Sequence, residues 1–83
     1  MRTTTRKGEM LENAGYAYSF DRLSYINRRE RKVFSVEFVQ DHDEAELSRR
    51  INEPVSAGEW RFYFNTEPSP SVKIEFLRHI NGR

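Results

Sequence analysis

The chain has 83 residues, enough for one small core and too few for two. It is 36% hydrophobic and 13% aromatic, and the large rings supply enough buried area to argue against disorder. It has no Cys, which rules out disulfide staples, thiolate metal sites and Cys nucleophiles. The net charge of +1 selects no partner, but its distribution is uneven: basic residues dominate from Asp21 to Lys32, and acidic ones from Glu37 to Glu46.

In chain order, residues 1–5 read as a flexible N-terminus. Met1-Arg2-Thr3-Thr4-Thr5 leads into no apolar stretch, so it does not read as a secretory signal. Thr5 is placed to cap a helix from Arg6 to Ala14, with Met10, Leu11 and Ala14 on one face and Gly15 as the left-handed stop. Tyr16 to Ile26 reads as one strand whose alternation slips phase at Asp21-Arg22, the signature of a bulge. A polar tip, Arg28-Arg29-Glu30-Arg31, then turns the chain into a second strand, Lys32 to Gln40, where Phe34, Val36 and Phe38 alternate with polar residues.

Asp43 followed by Glu46 has capping-box spacing, and Leu47 and Ile51 give the next helix its apolar stripe before Pro54 ends it. Trp60, Phe62 and Phe64 alternate in a third strand, and Val72, Ile74 and Phe76 in a fourth that runs to Ile80. The expected fold class is therefore α+β: a small single domain over residues 6–80, in α-β-β-α-β-β order. Two helices lie on one face of a four-stranded, mainly antiparallel sheet, and residues 81–83 form a tail. The expected core is Leu11, Tyr18, Phe20, Phe34, Val36, Phe38, Leu47, Ile51, Trp60, Phe62, Phe64, Val72, Ile74 and Phe76.

Three polar or mixed clusters carry the functional readings. The opposite face of the sheet would expose Val33, Val39, Arg61, Tyr63 and Leu77, with Ser35, Glu37, Lys73 and Glu75 among them. Such a mixed face suits a protein partner or a second copy, or simply a solvated sheet. The hairpin tip offers Arg28, Arg29, Arg31 and Lys32 beside Tyr25. That set could grip a phosphate backbone or enter a groove as a two-stranded ribbon, or serve only to keep a turn soluble. Asp41, His42, Asp43 and Glu44 carry metal-type donors, but helix capping explains two of them better.

The Gly residues are scattered and form no phosphate loop. Gly15-Tyr16-Ala17 followed by Tyr25-Ile26-Asn27 and Arg28 faintly resembles the opening of GIY-YIG nucleases. Asn27 replaces the second Gly, however, and strand-like sequence follows where that family has a helix, so the resemblance is set aside. The first functional expectation is a non-catalytic protein-interaction module, self-association included. The alternative is a nucleic-acid-binding module using the Arg-rich tip. No enzyme constellation, cofactor or metal is expected, no apolar run is long enough to span a membrane, and a cytoplasmic protein is the natural reading.

Overall fold

A computed structural model describes residues 6–56 and 58–81. The expected flexible N-terminus (1–5) and most of the expected tail (82–83) lie outside the described residues. Helix α1 (Arg6–Asn13) leads into strands β1 (Ala17–Ser19), β2 (Ser24–Asn27) and β3 (Lys32–Ser35). Helices α2 (Val36–Asp41) and α3 (Glu44–Ile51) follow, then strand β4 (Arg61–Tyr63) and helix α4 (Pro70–Asn81). The class is α+β, but the sheet is mixed: its order is β1-β2-β3-β4, with the first three strands antiparallel and β4 parallel to β3.

Each departure from the expected element order has a local cause. The phase slip at Asp21-Arg22 is a reversal of the chain rather than a bulge: Ser19 pairs with Ser24, and residues 20–23 form the turn between them. Leu23 takes a positive φ of 49° in that turn, and the Ser24 hydroxyl donates to the Arg22 carbonyl at 2.9 Å. The strand expected to reach Gln40 stops at Ser35, whose side chain accepts a hydrogen bond from the Phe38 amide at 3.1 Å and so caps α2. Two helices then carry the chain back to the starting end of β3, which is what a parallel neighbour requires.

The expected fourth strand is helix α4. Ser69 accepts from the Val72 amide at 3.3 Å and Pro70 occupies the first helical position, a strong start signal. Val72, Phe76 and Ile80 also recur at i, i+4, a spacing that the alternation of Val72, Ile74 and Phe76 conceals. Phe76 and Ile80 are buried, while Val72 and Ile74 are exposed.

Other local expectations hold. Asp43 caps α3 by accepting from the Glu46 amide at 2.8 Å. Gly15, at φ 102°, ends α1 in a Schellman motif: the Tyr16 amide donates to the Leu11 carbonyl and the Gly15 amide to the Glu12 carbonyl. The turn after β2 closes where the basic tip was expected, with Asn27 opposite Lys32 and its Oδ1 accepting from the Glu30 amide at 2.9 Å.

Because α4 packs on the second face, the sheet has a core on each side. On one side Phe34, fully buried, meets Tyr16, Phe38 and Tyr63 at ring-centroid distances of 5.3, 5.8 and 4.5 Å, with Leu11, Val39 and Leu47 around them. On the other, Val33, Phe76 and Ile80 gather Ile26, Trp60, Phe62 and Phe64. Val33, Val39 and Tyr63, expected on an outer face, are therefore buried. Phe20, expected in the core, projects from the β1–β2 turn at 77% exposure.

Candidate functional site

The two expected surfaces survive unequally. Of Val33, Val39, Arg61, Tyr63 and Leu77, expected as an outer-face interface, only Arg61 is exposed; Leu77 is half-buried on α4, and the remaining three are core residues. Of the basic-tip set, Arg28 and Arg29 are exposed in the turn. Arg31, at φ 59°, is half-buried; its Nε donates to the Glu59 carbonyl at 3.2 Å, and its own carbonyl accepts from the Arg61 amide at 2.9 Å. Arg31 thus holds β4 in place. Tyr25 lies in the sheet, its ring 5.1 Å from that of Tyr18, and packs against the first core.

Lys32, expected at the basic tip, is instead an internal residue. It is 1% exposed, and its ammonium donates to the Ile51 carbonyl at 2.6 Å and the Arg50 carbonyl at 3.0 Å. Those carbonyls stand at the end of α3, where the Arg50 carbonyl also accepts from the Glu53 amide at 3.2 Å, so the Lys caps a helix from inside the protein. Burial pulls its pKa below the ordinary Lys value, against an upward pull from Glu30 and Glu53. Beside it the Tyr63 hydroxyl donates to Glu53 Oε1 at 2.8 Å, which holds that carboxyl below its usual range. Burial, chiefly, raises the pKa of both Tyr16 and Tyr63. This cluster joins α3 to the sheet.

What remains accessible is a cleft between α4 and the β1–β2 hairpin, of about 320 Å³. Ala17, Ile26 and Ile80 provide apolar walls, Tyr18 borders it, and Ser19, Arg28 and His79 bring polar groups to it. Alternation in β1 and β2 puts Ala17, Ser19 and Ile26 on the α4 side of the sheet. The turn carries Arg28 to the rim, and the last helical turn brings His79 to within 3.4 Å of the Ser19 hydroxyl (Nε2 to Oγ). Past His79 the surface opens into a second hollow bordered by Arg78 and closed by Arg22 and Glu75, whose charged atoms lie 3.8 Å apart.

Arg28, Arg29 and Arg78 make no ion pair among the described residues. The C-terminal end of a helix attracts positive charge, which accounts for Arg78 and His79 standing in the last turn of α4. It does not account for Arg28, which comes from a different element. Chemically the cleft is a donor-rich pocket with apolar walls, suited to an anion carrying a planar or apolar group. No carboxylate hydrogen-bonds His79 among the described residues, so the Ser19–His79 contact lacks the orienting third group of a nucleophilic triad. Among the described residues no group of three or more His, Asp or Glu is placed to hold a metal ion, and no helix is long and apolar enough to cross a membrane.

No family model, curated protein or solved structure matches this chain. Of the site residues, Arg28 is legible in the sequence. Ser19, Arg78 and His79 are not, because reading 72–80 as a strand hides the approach of α4. The Ser69-Pro70 helix start was the signal that could have revealed it.

Proposed function

We propose that the chain is a non-catalytic binding module that holds single-stranded nucleic acid by its phosphates. The carrying observation is the convergence of Arg28, Ser19 and His79 on one cleft from three separate elements. Exposed Arg29 and Arg78, which make no ion pair among the described residues, stand next to Arg28 and His79 in the chain, so the surface offers a short basic track rather than a single point. Arginine forks suit phosphate oxygens, and the apolar walls of Ala17, Ile26 and Ile80 provide a place for a base or sugar.

A single strand is favoured over a duplex by the state of the hairpin. Strand β3 is an interior strand covered on both faces, so the β2–β3 ribbon is not free to enter a duplex groove. The protein-interaction reading loses its original basis, since Val33, Val39 and Tyr63 are buried.

Roughly three phosphate contacts give a slope of about −2 for log affinity against log salt on a single strand. Anisotropy with a labelled mixed-sequence 12-mer should thus show binding weakening roughly twentyfold between about 50 and about 200 mM salt. Replacing both Arg28 and Arg78 with Ser should flatten the slope to about −1 or abolish binding, with the fold retained. Absence of binding at the lower salt refutes the proposal, and so does binding that the double variant leaves unchanged. Competition with inorganic phosphate separates recognition of the polymer from recognition of a free anion.

A further inference from the structure

The turn between β1 and β2 carries a feature that the cleft does not use. Phe20 is 77% exposed and Leu23 59% exposed, both in the four-residue turn between β1 and β2. Leu23 sits at φ 49°, a conformation that a bulky side chain rarely adopts, and the turn holds it there while leaving its side chain largely in water. Beside the turn is a hollow of about 280 Å³, with Leu23, Val36 and Phe64 as its apolar lining and Ser24, Ser35, Asn65 and Thr66 around them. Arg22 and Glu37 also border it, with opposite charges. Glu37 is exposed and pairs with no cation among the described residues.

One small region therefore holds a projecting aromatic ring, an apolar-lined hollow, a cation and an anion. Those are the parts of a self-complementary contact, in which each copy supplies what the other lacks. We infer that this end of the molecule is an isologous interface between two copies of the chain. Phe20 of each copy fills the hollow of the other, where it meets Leu23, Val36 and Phe64. A two-fold axis beside the turn also sets Arg22 of one copy, whose nearest anion in its own copy is Glu75 at 3.8 Å, on the side of Glu37 of the other, so the charges bordering the contact are opposite. An aromatic anchor in a hollow, ringed by polar groups, is the arrangement that concentrates binding energy in few residues. The occupant is a second copy because knob, hollow and both charges belong to this chain.

Sedimentation velocity over a concentration series tests this. The wild-type chain should move from 9.9 kDa toward twice that mass as concentration rises. Phe20→Ser should raise the midpoint by about a thousandfold, because each dimer loses two hot-spot side chains, with an unchanged far-ultraviolet spectrum. Glu37→Arg, which adds a second cation to the contact, should weaken the dimer more than Glu37→Gln, which only removes the anion. A wild-type chain that stays monomeric at millimolar concentration overturns the inference, as does a dimer indifferent to Phe20→Ser. Phe20 follows Ser19 in the chain but does not line the Arg28 cleft, so the Ser variant keeps its single-strand affinity per subunit, which separates failure of this inference from failure of the binding proposal.

Discussion

Replacing Phe76 with Ala destabilises the chain by about 3–5 kcal/mol in denaturant unfolding. The ring is 5% exposed, and it meets Phe62 at 5.7 Å and Phe64 at 5.6 Å, both edge-on, with the Arg22 guanidinium 5.9 Å from its centroid. Its removal empties the centre of the second core, where Val33 and Ile80 have no other large ring on α4 to fall back on. A domain of this size holds roughly 4–12 kcal/mol in total, so the loss is about a quarter of it or more and the urea midpoint should fall in proportion. Ile74→Ala, one turn-face away and 54% exposed, is the control and should cost well under about 1 kcal/mol. If the two residues stood on one strand face, as alternation suggests, the two losses would be similar. Equal losses would therefore refute the helical second layer.

Stability should also fall steeply above pH 10, and two tyrosines should account for the fall. Tyr16 is 4% exposed with its hydroxyl buried and without a hydrogen-bond partner among the described residues, and Tyr63 is buried against Glu53. Both have folded-state pKa values raised above the ordinary 10.0, mainly by burial. The unfolded chain therefore ionises first: their contribution is complete below pH 10 and is lost as pH rises toward the folded values. Each tyrosine can remove up to about 1.4 kcal/mol per pH unit in that window. Lys32 acts with the opposite sign. Its folded pKa is lowered from 10.5, so its contribution is present above 10.5 and lost as pH falls through the folded value, a rise with pH that the tyrosines then overtake. Tyr16→Phe should halve the alkaline slope and be neutral or stabilising at pH 7, because it removes an unsatisfied hydroxyl. Tyr63→Phe should halve the slope too, but cost about 1 kcal/mol at pH 7 through the lost bond to Glu53. Urea midpoints from pH 7 to 11 measure both, and an alkaline fall unchanged in either variant would contradict the assignment.

The sequence carried local signals better than layers. Gly15 as a helix stop, Asp43 as a cap and Arg28 to Arg31 as a turn were readable because each depends on a few neighbouring residues. Alternation misled where burial was two-sided. Lys32, Val33 and Phe34 are all buried in β3, since one face meets α1–α3 and the other meets α4. Such a strand has no outer face, and alternating polarity in it reports nothing about exposure. Lys32 shows the limit most clearly: a Lys in a basic run reads as surface, and only the position of the α3 carboxyl end reveals it as an internal cap. The cleft was half-visible for the same reason, because Arg28 belongs to a local turn while Ser19 and His79 meet only through tertiary packing, 60 residues apart.

The central claim is that the Arg28 cleft receives a phosphate-bearing strand, and an amide-resolved NMR titration with a short single-stranded oligonucleotide at low salt tests it most directly. The predicted result is a set of shifts on Ser19, Ile26, Arg28, Arg29, Arg78 and His79 that disappears at high salt. Shifts confined to Arg61 and its neighbours at the β4 edge, or none at all, would contradict it.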